Sequence, residues 1–155
     1  GGRSLLPPAP AVVDSRISET IEALPLVQRV TEQYQRATMA IVPLASPDPE
    51  NSTVVRNNLM SVEAVKDLVT RGAVGEIASH WWFDRAGGVV EQSDVHAIGL
   101  GLDGLYRMVE RRAKTIAVVG ASRERILPLK VALSSGLVNV LITDHITAEL
   151  LLSEE

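Results

Sequence analysis

Cysteine is absent from the 155 residues, which removes disulfides and thiolate metal ligands and fits a reducing compartment. Rings are scarce: two Trp, two Tyr and one Phe make up 3% of the chain, so its core must be aliphatic. A basic excess is lacking too, and the net charge of −4 withholds the phosphate-neutralising surplus that a free-standing nucleic-acid binder needs. No apolar run is long enough to span a bilayer, and the opening GGRSLLPPAP lacks the continuous hydrophobic core of a signal peptide. These absences point to a soluble, cytoplasmic chain with no membrane partner. What is present, 46% hydrophobic and 22% charged residues, is globular composition, and the length suits one domain over 1–155.

Residues 115–152, TIAVVGASRERILPLKVALSSGLVNVLITDHITAELLL, organise that domain. The apolar, β-branched run 115–119 predicts a strand, and Gly120 and Ser122 break it where a helix begins. Ile126, Leu129, Val131, Ala132 and Leu133 then mark a mostly apolar helix, closed by Ser134, Ser135 and Gly136 before a second strand at 138–142. Two strands joined through one helix are most simply parallel neighbours with a right-handed crossover. Such sheets hold ligands beyond the carboxyl ends of their strands, which here are 120–125 and 143–145.

Earlier in the chain, Pro7, Pro8 and Pro10 predict an irregular entry. Asp14 or Ser15 can cap a short helix running to Ala23, and Pro25 can open a second one to about Arg36. Residues 38–44 read as a buried strand with Pro43 at its end or at an edge. A loop at 46–52 precedes a helix over 61–70, stopped by Gly72. Residues 73–90 read as a hairpin turning at 84–88, 96–100 as a short strand, and 104–112 as a helix capped by Asp103.

The motifs RGAVGEIASHWWFDRAGG, HAIGLGLDGLYRM, TIAVVGASRER and SSGLVNVLITDHITAELLL, in that order after LLPPAPAVVDS, resemble the sugar-binding regulatory domain of the SorC family of bacterial transcription regulators. The resemblance covers nearly the whole chain. It implies a Rossmann-like parallel sheet flanked by helices, related to sugar-phosphate isomerases and deaminases, with a small hairpin-containing insertion. It also implies an effector sensor with no catalytic residues and no cofactor. Its ligand would be a sugar or sugar phosphate, and occupancy would be coupled to homo-oligomerisation. DNA would be reached only through a helix-turn-helix domain that family members carry and that is not found in this chain. Also not found is the family's Gly- and Thr-rich phosphate loop, so the chain resembles the carboxyl-terminal portion of the domain. Two rival readings stand beside this one: an isomerase- or deaminase-like enzyme, and a ligand-free dimerisation module.

The resemblance implies particular ligand contacts. Arg56, in TVVRNNL, occupies the place of a basic ligand contact, where a guanidinium can engage two phosphate oxygens; a solvated loop arginine is the alternative. Glu76 matches the acidic residue of the family's Gly-Ala-Val-Gly-Asp/Glu motif and could accept bonds from sugar hydroxyls, or else be a paired or solvated strand-end carboxylate. Gly120, Ser122, Arg123 and Arg125 form the turn before a helix amino terminus, which favours an anion. Here the family's Gly-Gly-x-x-Lys is altered, its lysine position falling on Glu124, so either a neighbouring arginine substitutes or the effector is less charged. Asp144 is expected to cap the last helix and Asp84 to form a turn. His80, His96 and His145 have no ligand spacing, so no metal is assigned, and Ser122 lacks a histidine base. Trp81 and Trp82, adjacent on a strand, must face opposite sides, so one is expected in the core while the other packs, covers an interface or stacks on a sugar, with packing preferred.

Overall fold

The computed structural model describes residues 2, 4–50, 52–78, 80–92, 94–120 and 123–153. The proline-rich entry is irregular, as its missing donors require, and leads to a short strand β1 (Val12–Asp14). The Asp14 side chain accepts from the Arg16 amide and starts a 3-10 turn (Ser15–Ile17), which runs into α1 (Ser18–Glu22). Pro25 opens α2 (Pro25–Gln35), where its fixed φ costs nothing because the first amide has no helical partner. Strand β2 (Met39–Ala45), the short helix α3 (Thr53–Arg56) and α4 (Val62–Thr70) follow. The Ser61 hydroxyl caps α4 by accepting from Ala64 N, and Gly72 ends it at φ 101°, a conformation open to few other residues.

The chain then forms β3 (Gly75–Ile77), β4 (Trp81–Phe83), β5 (Val89–Val90), β6 (Val95–Ala97), α5 (Gly101–Glu110), β7 (Lys114–Val119), a 3-10 turn (Arg123–Arg125), α6 (Ile126–Ser134), β8 (Val140–Thr143) and α7 (His145–Ser153). Six strands make one sheet in the order β5-β4-β3-β2-β7-β8, while β1 and β6 pair separately. Here the expectation of a parallel sheet is corrected. Strands β2, β7 and β8 are parallel, as the helix between β7 and β8 demands, but β3, β4 and β5 run antiparallel because they are joined by short turns. The hairpin is therefore part of the sheet and not an insertion beside it. Pro43 lies within β2 and spends its missing N–H harmlessly. That N–H would point to the side where the β2–β3 ladder begins only at Leu44, and the Pro43 carbonyl on that side accepts from Ala78 N.

The two faces of the sheet are built from different residues. On one, Leu102 and Leu105 of α5, Leu129 and Ala132 of α6, and Leu151 of α7 pack on Val42, Leu44, Ala117, Val119 and Leu141. On the other, Val54 of α3 and Val65 and Leu68 of α4 pack on Trp82 and Val90. The second layer covers only the antiparallel strands. Over β2, β7 and β8 that face is bare, leaving Ile41 67%, Val118 49% and Ile142 55% exposed, so β2 is only half a buried strand. Two further expectations shift. The helix expected at 104–112 starts at Gly101, with Leu100 as an N-cap that makes no side-chain bond, so Asp103 lies in the first turn and caps nothing. The last strand begins at Val140, because Asn139 is occupied in accepting from Thr115 N and donating to the Ala113 carbonyl.

Candidate functional site

The parallel strands end together. Val119 of β7 is level with Thr143 of β8, and the Thr143 hydroxyl donates to the Val119 carbonyl at 2.6 Å, tying the two ends before the chain turns at Gly120. Pro43 of β2 is level with Val118, so carrying the register on by two residues sets Gly120 beside Ala45. On its other side Ala45 pairs with Glu76. The carboxyl edge of the parallel strands thus assembles Gly120, the loop after β2 and Glu76 in one row.

Glu76 is the chemically unusual member of that row. Its cross-strand partners place it on the face of Trp82, beneath the layer that carries α3 and α4. It is 2% exposed, and its Oε2 has no hydrogen-bond partner among the described residues. Burial disfavours the charged form and pushes this carboxyl up to about 7. The first of the ordinary fates of a strand-end glutamate, solvation, is therefore excluded. A buried acceptor without a donor costs about 1–3 kcal/mol, a cost that a hydroxyl brought to Oε2 would relieve.

Arg56 ends α3, two residues beyond the buried Val54, and is exposed. The helix is positioned by its N-cap, since the buried Ser52 accepts from Val54 N at 3.3 Å, and this sets the chain over the same face as Glu76. Arg123 and Arg125 lie in the 3-10 turn between β7 and α6, the first exposed and the second half-buried. Because α6 starts only at Ile126 and has Pro128 at its third position, the backbone donors nearest β7 belong to that turn more than to the helix. Ser122 lies outside the described residues. The register thus sets Glu76 and Gly120 at the ends of β2 and β7, the turn carrying Arg123 and Arg125 follows β7, and Arg56 lies on α3, over the face that carries Glu76.

The other singled-out residues take structural roles. Asp144 caps α7, accepting from Thr147 N and from the Thr147 hydroxyl at 3.0 Å each, and these bonds hold its carboxyl below the usual carboxylate range. Asp84 accepts from the Ala86 and Gly88 amides and closes the β4–β5 turn. Trp82 is core, and Trp81 packs against the opposite cluster, as alternation requires. Among the described residues no group of three or more His, Asp or Glu is placed to hold a metal, and no helix is long and apolar enough to cross a membrane.

Comparison with known proteins bears on the same architecture. Residues 1–153 match the family described as "Putative sugar-binding domain". Among solved structures, a DeoR family transcriptional regulator from Listeria monocytogenes is 24% identical with a TM-score of 0.80, covering 94% of this chain and 57% of its own. The full-length sorbitol operon regulator SorC from Klebsiella pneumoniae is 23% identical with a TM-score of 0.74, covering 93% of this chain and 44% of its own. The chain thus spans about half the length of the solved structures it matches. No curated protein gives a significant match.

Proposed function

We propose, from the premise that the chain belongs to the sugar-binding domain family of SorC-type transcriptional regulators, that it is an effector sensor whose ligand is a sugar phosphate or related carbohydrate metabolite. The ligand would lie across the carboxyl ends of β2, β7 and β8. The observation that carries this reading is Glu76: a carboxyl 2% exposed, with Oε2 unpartnered, at the edge where strand-end ligands bind. Arg56, Arg123 and Arg125 would meet the anionic end, and Glu76 would accept from a hydroxyl at the other. Occupancy is coupled to a change of homo-oligomeric state only if the ligand binds one assembly more tightly than the other. In this reading DNA would be contacted through a separate helix-turn-helix domain, and the working protein would act in the cytoplasm.

The related enzyme reading, an isomerase or deaminase acting on sugar phosphates, keeps the superfamily relationship but lacks an acid–base pair, since no second titratable group contacts Glu76 among the described residues. Thermal unfolding of this chain and of the complete regulator, scanned against sugars and sugar phosphates, tests the proposal, because a ligand of the native state must raise its stability. A rise for the complete regulator that is lost in Arg56→Ala and Glu76→Gln is expected. No rise for either protein would overturn the sensor, and turnover of a ketose or amino-sugar phosphate would decide for the enzyme. A second reading, association of copies without ligand, is favoured by the bare apolar strip of Ile41, Val118 and Ile142.

A further inference from the structure

The edge opposite the candidate site, where the parallel strands begin, gathers positive charge. Strands β2 and β7 start level with one another, Met39 beside Lys114, and Lys114 N donates to the Thr38 carbonyl. Helix α2 is capped by Arg36 just before β2, and α5 by Arg111 just before β7. The Arg111 guanidinium ties the two helix ends together, donating to the Gln35 carbonyl and, through Nε, to the Arg107 carbonyl. Arg107 and Arg111 also line a groove of about 410 Å³ beside Gln35. Arg36, Arg107, Arg111, Arg112 and Lys114 therefore share one edge, roughly 20 Å along the strands from the edge that holds Glu76. All five are exposed, and none is in an ion pair among the described residues. Over residues 32–36 and 107–114 the acids are Glu32 and Glu110 alone, although the whole chain carries −4.

Helix carboxyl ends draw cations because their free carbonyls form a negative pole, and that accounts for a basic residue near each. It does not account for the position of Arg112. Helices α4 and α6 are closed by Gly72 at φ 101° and Gly136 at φ 83°, and α3 by Asn58 at φ 54°, residue types that enter the left-handed region most readily. Helix α5 is closed in the same way, Arg112 N donating to the Val109 carbonyl and Ala113 N to the Met108 carbonyl, yet the residue at φ 60° is an arginine. A Cβ is disfavoured there, so this charge is kept at a conformational cost that glycine would avoid. Strain of that kind points to a use for the side chain. Exposed, unpaired cations held along one edge match the repeating charge of a nucleic-acid backbone. We propose that this edge touches the phosphates of duplex DNA without reading bases, flanking the site held by a separate DNA reader, a partner that rests on the regulator reading above. The net charge of −4 keeps the contact from holding DNA alone at physiological salt, so it adds affinity and orientation to a protein already on the duplex.

The test titrates the 155-residue chain into a labelled duplex of about 30 base pairs and arbitrary sequence, read by fluorescence anisotropy at about 20 mM salt and upwards. The expected result is saturable binding at the lowest salt, with log K falling against log salt at a slope of about −3 to −4, as for a handful of neutralised phosphates. Arg112→Gly is the sharpest variant: its melting temperature is expected to hold or rise while binding weakens about threefold or more and the slope becomes shallower by about 1. Arg36→Ala combined with Lys114→Ala is expected to weaken binding about tenfold or more, and Arg85→Ala, exposed in the β4–β5 turn, to leave it as it was. Absence of saturable binding at low salt overturns the proposal, as does binding that survives both edge variants or is lost equally in Arg85→Ala. Tighter binding to poly-glutamate than to the duplex overturns it too, and assigns the edge to an acidic protein surface. The ligand scan of the sensor uses none of these residues, so the two readings fail separately.

Discussion

The antiparallel and parallel halves of the sheet are finished to different degrees. Strands β3, β4 and β5 are packed on both faces: Ile77 and Phe83 on the side of α5 and α6, Trp82 and Val90 on the side of α3 and α4. Strands β2, β7 and β8 are packed on one face only, and the other exposes Ile41, Val118 and Ile142. The difference teaches that a parallel sheet, which ordinarily lies between two layers of helices, is stable here on one layer because the antiparallel half carries a complete core beside it. It also separates stability from association, since the buried half holds the fold and the bare strip is free to meet another surface.

Four changes would break or sharpen that contrast. Phe83→Ala empties a fully buried ring site in the finished half and is expected to cost about 3–5 kcal/mol, read by denaturant unfolding. Glu76→Gln acts through pH. The folded carboxyl titrates near 7 and the unfolded one near 4.5, so the unfolded state binds fewer protons between those values and stability falls as pH rises through that window. Removing the charge should raise stability at pH 8 by roughly 2–3 kcal/mol and leave it nearly unchanged at pH 4. An equal shift in melting temperature at both pH values would show that Glu76 is not buried as a charge. Asp144→Ala deletes the cap of α7 at the rim of the parallel half, for about 1 kcal/mol by thermal unfolding. Smallest of all, Ile41→Ser paired with Val118→Ser should change the stability of the isolated chain by less than about 0.5 kcal/mol. Sedimentation at rising concentration would then show weakened self-association if the strip joins copies.

Legibility in the sequence follows the same division. The stretch from β7 through α7 is readable because each element carries its own signal: β-branched runs for the strands, Gly136 after α6 and Asp144 before α7. Strands β1 and β6 have three residues each and are defined only by pairing with one another across more than eighty residues, so β1 leaves no local pattern. Asp103 misleads because a good capping residue falls inside a helix that begins with a glycine at φ 71°. The buried appearance of residues 38–44 misleads for a different reason, since apolar composition cannot say whether a second layer exists to cover it. At the site, the resemblance picks out Arg56 and Glu76, and the fold sets α3 over the face of the sheet that carries Glu76. That Glu76 is buried, with its Oε2 unpartnered among the described residues, depends on what α3 and β4 lay over it, which no spacing encodes.

The turn between β4 and β5 has a mechanical consequence. The Tyr106 hydroxyl of α5 donates to the Gly87 carbonyl at 2.7 Å, and Gly87 fits so closely between Tyr106 and Ser135, just past α6, that a side chain there would collide with both. Gly75 is wedged in the same way between Phe83 and Pro128 of α6. The hairpin is thereby bolted to two helices at separate points along its length. A push on the start of α6, where the Arg123–Arg125 turn feeds it, is carried as by a rigid lever to the hairpin tip, and Gly87→Ala would loosen the far bolt without touching the edge where the push begins.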